Sequence, residues 1–267
     1  MDAEYRYYRE ALRGRLLPLA WVDLDKFDQN VEAIRARAKD RMICVATKSV
    51  RCVALLKRIQ AASPQYHSFM CFSLREALYL AAQGLDNLLV AYPVWSEAEH
   101  APFGEALKAG KRITLMVDCD EHIEHLNSIG ERHGCVVPLC IDLDMSSSFP
   151  GLHFGVRRSP VRTAERAVAL YKIARDLKHV RIEGLMGYEA QIAGVPDHMP
   201  GQAAKSALVR FLKKRSLREV AARRTAAVKA LQAEGCALRF VNGGGTGSVE
   251  TTIDEQLVTE VTVGSGF

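Results

Sequence analysis

The sequence predicts a (β/α)8 barrel, in which eight parallel strands alternate with helices around a closed sheet. Short apolar runs rich in β-branched residues alternate with amphipathic stretches along nearly the whole chain, which is typical of parallel α/β folds. Eight of these runs fill about 220 residues, close to the usual size of such a barrel. Several amphipathic stretches end at glycine, as helix C-termini often do. A doubly wound open sheet is the alternative, because strand counting does not decide closure.

The predicted elements follow in chain order. An apolar run at residues 19–25 predicts an extra N-terminal strand outside the barrel. The eight barrel strands are predicted at residues 42–47, 66–72, 87–94, 113–118, 135–144, 182–189, 238–242 and 258–263. The main helices are predicted at residues 74–83, 121–132, 161–177 and 206–234. We therefore expect an N-terminal extension at residues 1–40, with a strand and a helix, and a barrel domain at residues 41–267.

Composition and charge exclude several classes of protein. The 267 residues are 48% hydrophobic and 25% charged, which is typical of a globular protein rather than a disordered or fibrous one. The net charge of +5 is spread along the chain and does not indicate nucleic-acid binding. The seven cysteines form no CxxC pair and fit a reducing compartment. Because no signal peptide or apolar run of about 18 residues is visible, we expect a cytoplasmic protein without a membrane partner.

Lys48 directly follows the first predicted barrel strand. It should therefore lie at the C-terminal rim of the barrel, where the active sites of this fold gather. Its strand-side neighbours are apolar, an environment that favours the neutral amine needed to form a Schiff base. The alternative is a rim lysine that pairs with a carboxylate.

Two glycine-rich segments follow the last two predicted strands. The run from Asn242 to Ser248 reads Asn-Gly-Gly-Gly-Thr-Gly-Ser, and Gly264-Ser265-Gly266 follows the eighth strand. Glycine lacks a Cβ atom, so successive backbone N–H groups can converge on a phosphate, and barrels bind phosphate at this place. The run matches neither the dinucleotide-binding fingerprint nor the P-loop. A tight turn without a ligand is the alternative.

These segments together resemble the barrel domain of fold-type III pyridoxal 5'-phosphate (PLP) enzymes, the alanine racemase N-terminal barrel family. The matching segments are Asp23-Leu24-Asp25, Thr47-Lys48-Ser49, the run from Gly187 to Gly194, the run from Asn242 to Gly247, and Gly264-Ser265. The resemblance runs from about residue 18 to residue 267, in the same order and spacing. Within this family, the branch of D-threonine aldolase and D-serine dehydratase is more similar to the sequence than alanine racemase itself.

The resemblance implies a role for each matching residue. Lys48 would be the catalytic residue, because it would form the Schiff base with PLP and move a proton at the Cα atom of the substrate. Tyr188 would lie beneath the pyridine ring, so that a neutral hydroxyl would face the ring nitrogen. The cofactor phosphate would be held by Gly244, Gly245, Thr246, Gly264 and Ser265.

Two departures from the family bear on the cofactor site and on the domain organisation. His153 occupies the position where relatives carry an arginine near a cofactor oxygen, so His153 is the candidate contact there, with Arg157 or Arg158 as alternatives. In the relatives, a β-rich domain follows the barrel and supplies an acid/base residue or metal ligands. This sequence stops three residues after Gly264, so we expect the usual C-terminal β domain to be absent from this chain. Either the sequence is a piece of a longer protein, or the protein lacks this second domain.

Three other patterns are weaker candidates. His122 and His125 share one helix face, but no further ligands can be named, so we predict no metal site. Asp142 and Asp144 share one strand face and would cap a loop or orient a base. The basic run at residues 205–224 predicts the solvated face of an outer helix rather than a nucleic-acid site.

The resemblance implies a PLP-dependent lyase that acts at Cα of a small amino acid of D configuration. The expected reaction is aldol cleavage or deamination of the dehydratase type, and racemisation is the alternative. A non-catalytic PLP carrier, or a barrel that binds another phosphorylated ligand with Lys48 as a plain cation, are further alternatives. The family implies a homodimer.

Overall fold

A closed barrel of eight parallel strands forms the centre of the molecule. The computed structural model describes residues 2–195 and 201–267. The barrel strands are β1 (Met42–Ala46), β2 (Tyr66–Cys71), β3 (Leu88–Val90), β4 (Ile113–Val117), β5 (Val137–Asp142), β8 (Val180–Gly187), β9 (Phe240–Gly243) and β10 (Glu260–Val263). They follow one another around the barrel in chain order, and β1 pairs with β10 to close it. The predicted barrel is confirmed, and each predicted strand forms within a few residues of its expected bounds.

Helices connect the strands and pack against the outside of the barrel. They are α1 (Ala3–Ala11), α2 (Leu24–Ala38), α3 (Thr47–Val50), α4 (Val53–Ala62), α5 (Leu74–Ala82), α6 (His100–Lys108), α7 (Asp120–His133), α8 (Ala164–Arg175), α9 (Ala190–Ala193), α10 (Ala203–Ala233) and α11 (Val249–Ile253). A 3-10 turn at Glu97–Glu99 precedes α6. Across the described ranges, every helix is too short or too polar to cross a bilayer.

The extra N-terminal strand predicted at residues 19–25 does not form, so that expectation is wrong. Asp23 instead begins α2, because its carboxylate accepts hydrogen bonds from the backbone N–H groups of Asp25 (3.0 Å) and Lys26 (3.1 Å). After Asp23 the apolar residues recur with the spacing of a helix, and α2 buries the side chains of Phe27 and Val31. A closed barrel offers no free edge to which a ninth strand could pair.

A β-hairpin that the sequence did not predict follows β5. It consists of β6 (Ser147–Phe149) and β7 (Leu152–Phe154), which pair antiparallel across the Pro150-Gly151 turn. Gly151 has a φ of +70°, a left-handed conformation that favours glycine. Strands of three residues are too short to show an alternating hydrophobic pattern. The Pro-Gly dipeptide, which favours a turn, was the available signal for the hairpin.

The inside of the barrel is filled, as is usual for this fold. Phe240 occupies space that exists because residue 184 is glycine, since a Cβ atom there would lie 2.2 Å from the ring's Cζ atom. The interior apolar cluster consists of Leu89, Ala91, Met116, Cys140, Met186 and Phe240. This packing forms the floor beneath the C-terminal rim.

Candidate cofactor site

A cavity of about 340 Å³ opens at the C-terminal end of the barrel. Its walls come from segments at the ends of β1, β2, β3, β8, β9 and β10, and from the loop that follows β7. The polar and glycine residues that line it are Lys48, Ser49, Tyr92, Arg158, Tyr188, Asn242, Gly244, Gly245, Thr246, Thr262, Gly264 and Ser265. The structure therefore brings Lys48, Tyr188 and the five phosphate-site candidates of the glycine segments around one space.

Lys48 lies in α3, the helical turn that directly follows β1. The preceding residue, Thr47, is buried and fixes this turn, because its hydroxyl contacts the Met70 carbonyl oxygen (3.0 Å) and a Glu76 carboxylate oxygen (2.7 Å). Within the described part of the chain, Lys48 forms no ion pair with a carboxylate. A rim lysine neutralised by a carboxylate, the alternative left open by the sequence, therefore finds no support.

The two glycine segments meet at one side of the cavity. Gly244 has a φ of +85°, which favours glycine. Gly264 lies so close to α3 that a Cβ atom there would be 2.6 Å from the Ser49 hydroxyl oxygen. The Gly264 N–H group donates a hydrogen bond to the Thr246 hydroxyl oxygen (3.2 Å), which links the segment after β9 to the segment after β10.

Several backbone N–H groups of these segments have no acceptor within the described chain. The Gly245 N–H group is bound to the Ser248 hydroxyl oxygen (3.0 Å), and that of Gly264 to Thr246. In contrast, hydrogen-bond acceptors are absent among the described residues for the N–H groups of Thr246, Gly247, Ser265 and Gly266. Neighbouring donors of this kind form an anion site, and a phosphate dianion would satisfy them.

A buried ion network lies directly behind the glycine segment. Arg224 of α10 is 1% exposed, and its guanidinium donates to a Glu189 carboxylate oxygen (2.7 Å), to the Gly187 carbonyl oxygen (3.0 Å) and to Glu255. Glu189 also accepts hydrogen bonds from Ser248 (3.0 Å) and Thr252 (2.6 Å). Because Ser248 in turn accepts the Gly245 N–H group, the network fixes the conformation of the segment.

Arg224 corrects part of the sequence interpretation. The basic run at residues 205–224 was expected to be solvated, and Lys214, Arg215 and Arg218 are indeed exposed. Arg224 is instead buried, because the helical period turns it towards the barrel between two carboxylates. The signal available in the sequence was Glu189, which follows Tyr188 at the end of the sixth barrel strand.

Arg158, rather than His153, is the cationic side chain at the cavity. Its guanidinium contacts the Asp142 carboxylate (2.9 Å) and the Ala91 carbonyl oxygen, and it lies 4.7 Å from the centre of the Tyr92 ring. Burial raises the pKa of Asp142 to about 7, although the Arg158 guanidinium opposes this shift. The 2.9 Å contact with Asp142 holds the Arg158 guanidinium at the cavity wall.

The structure does not bring His153 to the cavity. His153 lies in β7, opposite Ser148 of the hairpin, and neither of its ring nitrogens has a hydrogen-bond partner among the described residues. The β6–β7 hairpin carries His153 away from the cavity, and the chain returns to the rim only at Val156 and Arg158. Asp144 fixes the segment that leads back to the cavity, because its carboxylate accepts hydrogen bonds from the backbone N–H groups of Ser146 (3.0 Å) and Arg158 (2.9 Å).

Comparison with known proteins gives the same fold. The family model "Alanine racemase, N-terminal domain" matches residues 22–267. The chain is 26% identical to the 3-hydroxy-D-aspartate aldolase of Paracoccus denitrificans (strain Pd 1222) over 253 residues, covering 93% of this chain and 59% of the relative. It superposes on the D-threonine aldolase of Filomicrobium marinum with a TM-score of 0.78 at 20% identity, covering 94% of this chain and 62% of that one. For the D-threo-3-hydroxyaspartate dehydratase of Delftia sp. HT23 the TM-score is 0.71 at 19% identity, with 95% and 61% covered.

A barrel with a rim lysine facing a glycine-lined anion site defines the class of protein. The chain belongs to the alanine racemase N-terminal domain family, whose barrels bind PLP. It spans about three-fifths of the length of the curated relatives that it matches.

The residues present fit PLP. The unpartnered N–H groups of the glycine segments suit its phosphate, and the unpaired Lys48 lies in the same cavity. Burial raises the pKa of the Tyr188 phenol, so this side chain is a neutral hydrogen-bond donor at physiological pH. Arg158 adds a fixed positive charge at the cavity wall.

The buried network predicts a large loss of stability when Glu189 is neutralised. Glu189→Gln leaves the Arg224 guanidinium with one carboxylate partner instead of two, so the free energy of unfolding should fall by about 3–5 kcal/mol. Glu250→Gln, on the neighbouring α11, breaks an exposed pair with Arg37 and should cost less than about 1 kcal/mol. Urea denaturation of both variants tests this, and equal losses would contradict a structural role for the network.

Asp142 predicts a pH dependence of stability. Its pKa is raised from 3.8 to about 7 in the folded chain, so the folded state retains a proton that the unfolded state releases. The free energy of unfolding should therefore fall between about pH 4 and 7, by at most about 1.4 kcal/mol per pH unit from this group. Asp142→Asn cannot ionise, and its stability curve should lack this component. If urea denaturation at several pH values gives parallel curves for the two proteins, the assignment to Asp142 is wrong.

Proposed function

We propose that this barrel is a PLP-dependent lyase that cleaves or dehydrates 3-hydroxy amino acids of D configuration. The main support for this proposal is that Lys48 and the unpartnered backbone amides of the glycine segments lie around one cavity. The substrate class is supported by the names of the relatives, which are D-threonine and 3-hydroxy-D-aspartate aldolases and a D-threo-3-hydroxyaspartate dehydratase. Aldol cleavage and dehydration both require a hydroxyl group on the β-carbon.

Each polar group of the cavity has a task in this proposal. When bound, PLP supplies the electron sink that stabilises negative charge at Cα of the amino acid. Lys48 would hold the cofactor covalently through its amine, and the same amine, when free, would move a proton at the Cα atom of the substrate. Gly244, Gly245, Thr246, Gly264 and Ser265 hold the phosphate.

Tyr188 and Arg158 orient what the cavity binds. Tyr188 lies against the glycine segment, since a Cβ atom on Gly245 would be 3.3 Å from its Cε2 atom, and its hydroxyl is the proposed partner of the pyridine nitrogen. Arg158 is the proposed partner of an anionic oxygen of cofactor or substrate, the role that the family resemblance implied for His153. Its pairing with Asp142 keeps the guanidinium from turning away from the cavity.

The mouth of the cavity supports a homodimer. Phe72, Tyr92 and Val156 are between 40% and 60% exposed, and Phe72 and Tyr92 form an edge-on aromatic pair. An exposed apolar patch beside a site is typical of a surface that another chain covers, and the proposed occupant is a second copy of this chain. The seven cysteines are all free, which supports a cytoplasmic location.

Borohydride reduction tests the cofactor assignment. After incubation with PLP and reduction, peptide mass mapping should find the pyridoxyl adduct on Lys48. Lys48→Ala should lose this adduct, whereas Lys57→Ala, an exposed lysine of α4, should keep it. An adduct spread over several lysines in both variants would contradict the assignment.

The reaction is tested with a panel of amino acids. D-threonine and 3-hydroxy-D-aspartate should release either glycine and an aldehyde, by aldol cleavage, or ammonia and a 2-oxo acid, by dehydration. Each substrate is assayed with and without added divalent metal, and Lys48→Ala should abolish product release. D-alanine has no β-hydroxyl and should give no such product. Conversion of D-alanine to L-alanine would show a racemase instead. A pyridoxyl adduct on Lys48 without turnover of any amino acid of the panel would show a non-catalytic PLP carrier.

A further inference from the structure

A group of metal-ligating side chains lies outside the cavity, at the end of β4. Asp118 and Cys119 form the loop that follows this strand, and His122 lies in the first turn of α7. Each offers one ligand atom, and the three atoms lie within 4.8 Å of one another. The group lies on the C-terminal rim of the barrel, the end at which the sites of this fold are built.

The spacing of these atoms suits one tetrahedral divalent ion. The Nδ1 atom of His122 lies 2.9 Å from a carboxylate oxygen of Asp118. Two ligands at about 2.0–2.1 Å from a Zn²⁺ ion are about 3.3 Å apart in tetrahedral geometry, so a small side-chain rotation admits the ion between them. The Cys119 sulfur must approach by a similar adjustment, because zinc–sulfur bonds are about 2.3 Å long.

The donor set and its charge favour zinc over the other common cations. A carboxylate oxygen, a thiolate sulfur and an imidazole nitrogen are all zinc ligands, whereas Ca²⁺ and Mg²⁺ require oxygen ligands. The Asp118 carboxylate and a Cys119 thiolate together balance the two positive charges of the ion. Nearby Asp120 pairs with Arg166 (2.7 Å), so it adds no uncompensated charge.

The surroundings restrict the His122 ring. Its side chain is 13% exposed, that of Asp118 is 14% exposed, and the Trp95 ring packs 5.3 Å from the imidazole. The helix-face partner suggested by the sequence, His125, is not part of this group, and its ring packs against Trp95 (4.5 Å between ring centres) and edge-on to His100 (5.3 Å). The candidate ligands are therefore Asp118, Cys119 and His122 rather than the two histidines. Helical spacing alone could not indicate this group, because two of its members lie before the helix.

We propose that Asp118, Cys119 and His122 form a zinc site at the rim of β4. Three protein ligands leave the fourth tetrahedral position to a water molecule or another small ligand. The ion would tie the end of β4 to the first turn of α7. This site is independent of the proposed lyase function, since none of its ligands lines the PLP cavity.

Equilibrium dialysis against Zn²⁺ tests the proposal on the full chain loaded with PLP. Wild type should bind Zn²⁺ at this site, and Cys119→Ala and His122→Asn should each weaken that binding by more than about 100-fold. Two matched controls should retain it: Cys52→Ala, which removes an exposed cysteine, and His125→Asn, on the same helix. Circular dichroism and the PLP absorbance verify that each variant is folded and loaded.

Zinc K-edge X-ray absorption gives a second readout that folding defects do not mimic. The wild-type spectrum should contain one sulfur neighbour at about 2.3 Å, and this neighbour should be missing in Cys119→Ala. Undiminished zinc binding in both Cys119→Ala and His122→Asn, or a wild-type spectrum without sulfur, would overturn the proposal. Wild type that binds no Zn²⁺ would overturn it as well, and would leave Asp118 and His122 as an ordinary hydrogen-bonded pair.

Discussion

The buried Arg224 guanidinium is the interaction on which the rest of the site depends. It joins α10 to two other parts of the chain, since it contacts the Gly187 carbonyl oxygen and Glu189 at the end of β8, and Glu255 after α11. A Cβ atom at Gly243 would lie 2.9 Å from one of its nitrogens. The glycine segment therefore follows a path that the ion network sets, and a buried charge of this kind persists only while both partners remain.

Barrel closure is the second constraint. Val45 of β1 and Val263 of β10 are paired in register, although they come from opposite ends of the chain. Lys48 and Gly264 follow these residues within a turn, so closing the sheet by itself brings the amine beside the anion site. The packed interior beneath them blocks the barrel's axis and keeps the ligand at the rim.

The sequence predicted well what depends on local pattern. Eight apolar runs became eight strands, and Lys48, Tyr188 and the glycine segments lie around one cavity because strand ends in a parallel barrel share one rim. The expected strand at residues 19–25 is wrong because a capping interaction of Asp23 and barrel closure both oppose it. Neither effect is visible in the hydrophobicity of the run itself.

What the sequence did not predict depends on tertiary packing. In the sequence, nothing distinguished Arg224 from the other basic residues of its run. Its burial depends on two carboxylates that are distant from it in sequence. Arg158, which the sequence indicated only as an alternative, replaces His153 at the cavity because an undetected hairpin carries the histidine away. The Asp118, Cys119 and His122 group combines a strand end with a helix start, which no single periodicity describes.

One small molecule should bridge the Lys48 amine and the glycine segments, and a crystal structure of the chain with PLP would show this bridge. The electron density should be continuous from the Lys48 Nζ atom into the cofactor. The cofactor phosphate should accept hydrogen bonds from the N–H groups of Thr246, Gly247, Ser265 and Gly266. A phosphate bound elsewhere, or a Lys48 side chain free of the cofactor, would contradict the proposed site.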